Sequence, residues 1–89
     1  MSEQRESLLE FPCDFPIKIM GKASEDFTEV VLEIVRPHVP DLAHARLAHN
    51  ASKGGRYTAI TLTIRATSQA QLDAIYYALT AHERVLVAL

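Results

Sequence analysis

Residues Tyr57 to Ala66 alternate without a break, and no other stretch of the chain limits its fold as tightly. Ile60, Leu62, Ile64 and Ala66 fall on one side of the run; Ala59, Thr61, Thr63 and Arg65 fall on the other. A period of two marks a strand with one face buried. The many β-branched residues suit a pleated surface. Just before it, Ser52-Lys53-Gly54-Gly55 is a turn signal. Before that, Ala43 to His49 alternates more weakly, with His44, Arg46 and Ala48 on one side and Ala45, Leu47 and His49 on the other. Two such runs around a glycine turn predict a β-hairpin.

Each side of the hairpin carries one helical pattern and one further strand. Phe15 to Met20 alternates, with Phe15, Ile17 and Ile19 opposed to Pro16, Lys18 and Met20. Gly21 is expected to end that strand at a turn. Ser24 reads as a helix N-cap, with Glu25 and Asp26 placed where the helix dipole favours acids. Phe27, Val30, Val31, Ile34 and Val35 form one apolar stripe, and Pro37 and Pro40 stop the helix near Arg36. Thr67 or Ser68 caps a second helix, and Ser68 with Gln71 fits a capping box. Leu72, Ile75, Tyr76 and Leu79 are its buried stripe, and Val85 to Leu89 is a short last strand. Residues 1–10 are expected to form a flexible segment, and residues 11–89 a single domain.

The order is therefore β-α-β-β-α-β. Right-handed crossovers place both helices on the same sheet face. The prediction is a ferredoxin-like α+β sandwich: a four-stranded antiparallel sheet with two helices on one face. The other face is left open. It carries Lys18, Met20, Thr61, Thr63 and Arg65, a surface fit to meet solvent or a protein partner.

Several functions lack support in the residues. The net charge is −2, from nine basic and eleven acidic side chains, which argues against a dedicated nucleic-acid binder. Tyr57 lies at a strand end, whereas RNA-binding sheets stack bases on aromatics at their centre. No apolar run is long enough to cross a membrane. The single cysteine, Cys13, has no internal disulfide partner and has Asp14 beside it, which disfavours a reactive thiol. The four histidines, His38, His44, His49 and His82, lack metal-site spacing. No catalytic constellation and no cofactor motif stands out, so neither an enzyme, a metal nor a cofactor is expected, and the default location is cytoplasmic. The glycine turn with Lys53 and Arg56 could cradle a phosphate, but a strand rather than a helix follows it, and a plain hairpin turn is the simpler reading. Gly21, with Lys22 after it, is the other candidate. A glycine there would let a small ligand approach the backbone at the start of a helix, or would serve only a positive φ.

Taken in order, certain motifs resemble those of the YbeD-like family of small bacterial proteins. They are Leu8-Leu9-Glu10-Phe11-Pro12, Phe15 through Lys18-Ile19-Met20-Gly21, Ser52-Lys53-Gly54, Tyr57, Ala66-Thr67, Ile75-Tyr76 and Val85 to Leu89. The likeness spans about residues 8 to 89. It departs at Gly55-Arg56, where the family usually has one residue before the tyrosine. The resemblance implies a fold similar to the ACT regulatory domain, with dimerisation and small-ligand binding near Gly21, and a link to lipoate metabolism. It implies no established activity. Two expectations follow: a non-enzymatic regulatory or ligand-sensing module, pairing as a homodimer, or a protein-interaction adaptor working through the open sheet face.

Overall fold

A computed structural model of the protein describes residues 10–51 and 55–89. Its strands are β1 (Cys13–Lys22), β2 (Arg46–Ala51), β3 (Tyr57–Ala66) and β4 (Val85–Ala88). Its helices are α1 (Phe27–Val35) and α2 (Gln69–Thr80), and short 3-10 turns occupy Arg36–His38 and Leu42–His44. The sheet order is β2-β3-β1-β4, antiparallel throughout. This is the predicted ferredoxin-like sandwich. The expected flexible segment falls almost wholly outside the described residues, as do Ser52, Lys53 and Gly54.

The buried sides of the patterns meet in one core. Ile17 and Ile19 of β1 and Ile60, Leu62 and Ile64 of β3 pack under Phe27, Val31 and Val35 of α1 and Leu72, Ile75 and Leu79 of α2. All are at most 2% exposed, and each large aliphatic or aromatic side chain so buried contributes roughly 1.5–3 kcal/mol. Both helices lie on this one face, as the crossover rule requires.

Three boundaries differ from the expectation, each for a local reason. β1 does not end at Gly21. Gly21 and Lys22 continue the ladder against Thr58 and Tyr57. An extra residue, Leu86, bulges from β4 opposite this point, where Met20 pairs with Val87 and Gly21 with Val85. Ser24 is not the N-cap. The helix starts at Phe27, and Asp26 in the cap position makes no capping bond of its own. Both side chains serve Arg84 instead, as described below. Finally, His44 lies in a 3-10 turn bonded to Asp41 (2.6 Å), so β2 starts only at Arg46.

Pro16 sits well inside a central strand, where a missing N–H ought to break a ladder. Lys18 exchanges both its backbone bonds with Leu89 (2.8 and 2.9 Å). By alternation, Pro16 turns its nitrogen to that same side, but the β4 ladder does not extend that far. No bond is lost.

Ser68 caps α2 as predicted: the Gln71 amide donates to its Oγ at 3.1 Å. The Gln71 side chain returns the favour one residue earlier, accepting from the Thr67 amide at 2.7 Å, and also donates to the His38 carbonyl at 2.8 Å. Ser68→Ala is expected to cost about 1 kcal/mol and lower Tm by roughly 4–8 °C in a thermal melt.

Candidate functional site

Alternation along β1 and β3 decides which side chains face away from the helices. With Ile17, Ile19 and Gly21 buried on β1, the residues Asp14, Pro16, Lys18, Met20 and Lys22 point outward. On β3 the outward set is Tyr57, Ala59, Thr61, Thr63 and Arg65. The register brings them together in rows: Met20 beside Ala59, Lys18 beside Thr61, Pro16 beside Thr63, Asp14 beside Arg65. β2 extends the rows with Arg46 next to Thr63, Ala48 next to Thr61 and Asn50 next to Ala59. All five residues expected on the open face, Lys18, Met20, Thr61, Thr63 and Arg65, thus share one surface.

That surface has relief. A shallow hollow of about 150 Å³ lies among Met20, Ala59, Thr61, Val87 and Leu89, with Lys18 on its rim. Met20 and Val87 are 37% and 40% exposed, so apolar atoms line a depression open to solvent. A second hollow, about 350 Å³, lies at the other end of the face, bordered by Asp14, Arg46, Thr63 and Arg65 and by Asp41, which is bonded to His44 at 2.6 Å. There Asp14 stands 4.0 Å from Arg46 and 3.7 Å from Arg65, all three side chains being more than half exposed.

Charge is divided between the two faces. Among the described residues, the strands of the open sheet face carry Lys18, Lys22, Arg46 and Arg65 against the acidic side chain of Asp14. The helices carry Glu29, Glu33 and Asp73 and contain no lysine or arginine. The whole-chain charge of −2 averages over these faces and hides a basic one. Arg46 belongs to the site although the sequence reading left it out. Its shared parity with Ala48 in the weaker alternating run was the available signal.

The Gly21 candidate comes out differently. Its φ is not positive; among the described glycines only Gly55 has that conformation, at 68°. What Gly21 provides is room for close packing. A Cβ there would overlap the Phe27 ring, with Cζ at 2.7 Å, and the Arg84 carbonyl oxygen. The space beside it is already filled by the protein itself. Lys22, one residue on, points to the opposite side of the sheet and lies on the open face next to Tyr57. The two residues therefore do not line a common pocket.

Near Gly21 lies a polar clamp that the sequence did not reveal. Arg84 donates to Asp26 Oδ1 at 2.7 Å and to the Ser24 hydroxyl, and Ser24 in turn donates to Asp26 at 3.0 Å. Sixty residues separate Arg84 from Ser24 in the chain, so no local pattern could signal it. The Arg84 guanidinium first, and the Ser24 hydroxyl next, hold the Asp26 carboxyl below its ordinary value of 3.8. A depressed carboxyl adds stability above the unfolded value and loses it as pH falls through the folded one. Wild type should therefore be more stable than Asp26→Asn above about pH 4, with the gap closing as pH falls further. Melting temperatures of both proteins along a pH series check this.

The histidines disperse. His49 turns toward the helix layer and meets the Thr28 hydroxyl at 3.0 Å, while His82 Nδ1 accepts from the Arg84 amide at 3.1 Å. Among the described residues no three His, Cys, Asp or Glu side chains gather in a metal-holding group. Cys13 is half-buried at the start of β1 and packs against the core. Among the described residues no helix is long and apolar enough to cross a membrane.

The chain has clear relatives among known proteins. A family profile described as "Protein of unknown function (DUF493)" matches residues 6–89. A UPF0250 protein of Paraburkholderia phytofirmans is 52% identical over 89 residues, covering both chains in full. A UPF0250 protein of Chromobacterium violaceum is 47% identical over the same span, again covering both in full. The solution structure of protein HP0495 from H. pylori superposes with a TM-score of 0.73 at 14% identity, covering 91% of this chain and 85% of that one. At that identity the likeness speaks for the fold alone.

Proposed function

We propose, from the premise that this chain belongs to the DUF493 family of proteins of unknown function, that it is a protein-interaction module acting through the open face of its sheet. One observation carries the reading. Lys18, Met20, Thr61, Thr63 and Arg65 lie on a single uncovered surface that holds an apolar hollow and an excess of positive charge. An antiparallel sheet can keep one face in water, but an apolar hollow beside a row of cations gives this face the features of a docking surface. A fold of this kind hosts many activities, so it is the surface and not the architecture that points to binding.

The ligand-sensing reading at Gly21 has less support. The approach to the glycine is taken up by Phe27 and the Arg84 carbonyl, and Lys22 belongs to the other face. RNA binding is also less favoured, because Lys18, Met20, Ala59 and Thr61 hold the centre of the face where stacking aromatics are needed. Action by binding rather than catalysis, and a cytoplasmic location, belong to the same proposal.

Affinity capture from cells tests it with two variants of opposite placement. Thr63→Glu puts a carboxylate into the open face. Tyr77→Glu puts one on α2, where Tyr77 is 78% exposed. The reading expects the same partner with wild type and with Tyr77→Glu, and its loss with Thr63→Glu. A partner retained by Thr63→Glu and lost by Tyr77→Glu would move the docking surface to the helices.

A further inference from the structure

We propose that the partner presents an acidic segment in extended conformation, which sets a carboxylate between Arg46 and Arg65 and an apolar side chain in the hollow beside Met20, Val87 and Leu89. This rests on the sheet-face reading above and adds the chemistry of what docks there.

Asp14 engages the two arginines beside it only loosely. Asp14 approaches Arg65 and Arg46 at only 3.7 and 4.0 Å. Charge-assisted bonds of this type close to about 2.7–2.9 Å. One carboxylate held that loosely leaves most guanidinium donors of both arginines open, since each has five. The two side chains are 75% and 60% exposed. Thr63 is cross-strand partner to Arg46 and two residues from Arg65 on β3, so its hydroxyl faces the same space. Asp41 also borders the hollow but is bonded to His44, and Asp14 is held loosely, so two planar forks and a hydroxyl remain to take a carboxylate bidentately.

The charge distribution sets the sign of the partner. Among the described residues four cations, Lys18, Lys22, Arg46 and Arg65, stand against Asp14 on this face. Asp41 at the edge of the second hollow is taken up by His44, and Lys18 continues the positive line toward the apolar hollow. A basic segment would be repelled along its length, and a neutral one would leave the arginines unanswered. Spacing sets its conformation. Thr63 and Ala59, one at each site, are four residues apart on β3, or about 13 Å along a strand. An extended segment of about five residues covers that distance and runs along the strands. A nucleic acid could offer phosphate to the arginines, but the hollow has no aromatic on which a base could stack.

Selection of a random decapeptide library against the full chain tests the inference. The expected enriched peptides carry Asp or Glu about four residues from Leu, Met or Phe. A chosen peptide should bind the Arg46→Glu/Arg65→Glu double variant about tenfold or more weakly. Both side chains are exposed, so the variant should fold, which circular dichroism checks. Enrichment of basic or uncharged peptides would overturn the inference, as would unchanged binding to the double variant. So would binding of oligouridylate with no acidic peptide enriched, which would give the face to RNA. If capture from cells depends on Thr63 while no acidic peptide is enriched, the docking reading stands and this inference alone fails.

Discussion

Gly21→Ala is expected to lower Tm by roughly 10–20 °C, the effect of about 2–3 kcal/mol of overpacking in a domain of this size. The added methyl has nowhere to go. It overlaps the Phe27 ring on one side and the Arg84 backbone carbonyl on the other. A ring can shift by a few tenths of an ångström, but a carbonyl held at the start of β4 can do so only by moving the strand. The experiment also separates two views of Gly21. If the glycine lay in an open ligand-binding turn, an alanine would leave the melt near that of wild type. A fall in Tm without any ligand is the mark of a packing glycine, and circular dichroism melts read it directly.

Phe27→Ala should be more costly still, about 3–5 kcal/mol, because the ring is wholly buried and its loss leaves a cavity beneath the start of α1. Its relation to Gly21 makes a sharper forecast. In the Gly21→Ala/Phe27→Ala double variant the new methyl enters space the ring has left. The two losses should then sum to more than the loss of the double variant. Relief stays partial, since the clash with the Arg84 carbonyl persists. Urea denaturation of the four proteins gives the coupling. Strict additivity would mean that the two residues do not share the space the structure assigns them.

What could be read from the residues follows the range over which each pattern acts. The alternation of Tyr57–Ala66, the stripe from Phe27 to Val35 and the cap at Ser68 are local regularities, and all three stand in the fold. Ser24 looked like a cap by the same local logic. It lost that role because Arg84, distant in sequence, engages both Ser24 and Asp26. Gly21 looked like a turn because glycine usually breaks strands. The reason for it lies across the core, in a ring and a carbonyl that no window around Gly21 contains. The open face was legible from parity alone, which is why its five residues could be named beforehand. Its positive character was not, because summing charges over 89 residues mixes the acidic helices with the basic sheet. Assigning charges by strand parity would have separated them and included Arg46.

Site-specific photo-crosslinking in cells tests the central claim most directly. A benzophenone side chain replaces Thr61, in the middle of the open face, or Tyr77 on the outer side of α2. The account predicts a discrete covalent adduct from position 61, abolished when Thr63→Glu is added, and none from position 77. An adduct from position 77 alone, or equal adducts from both, would contradict it.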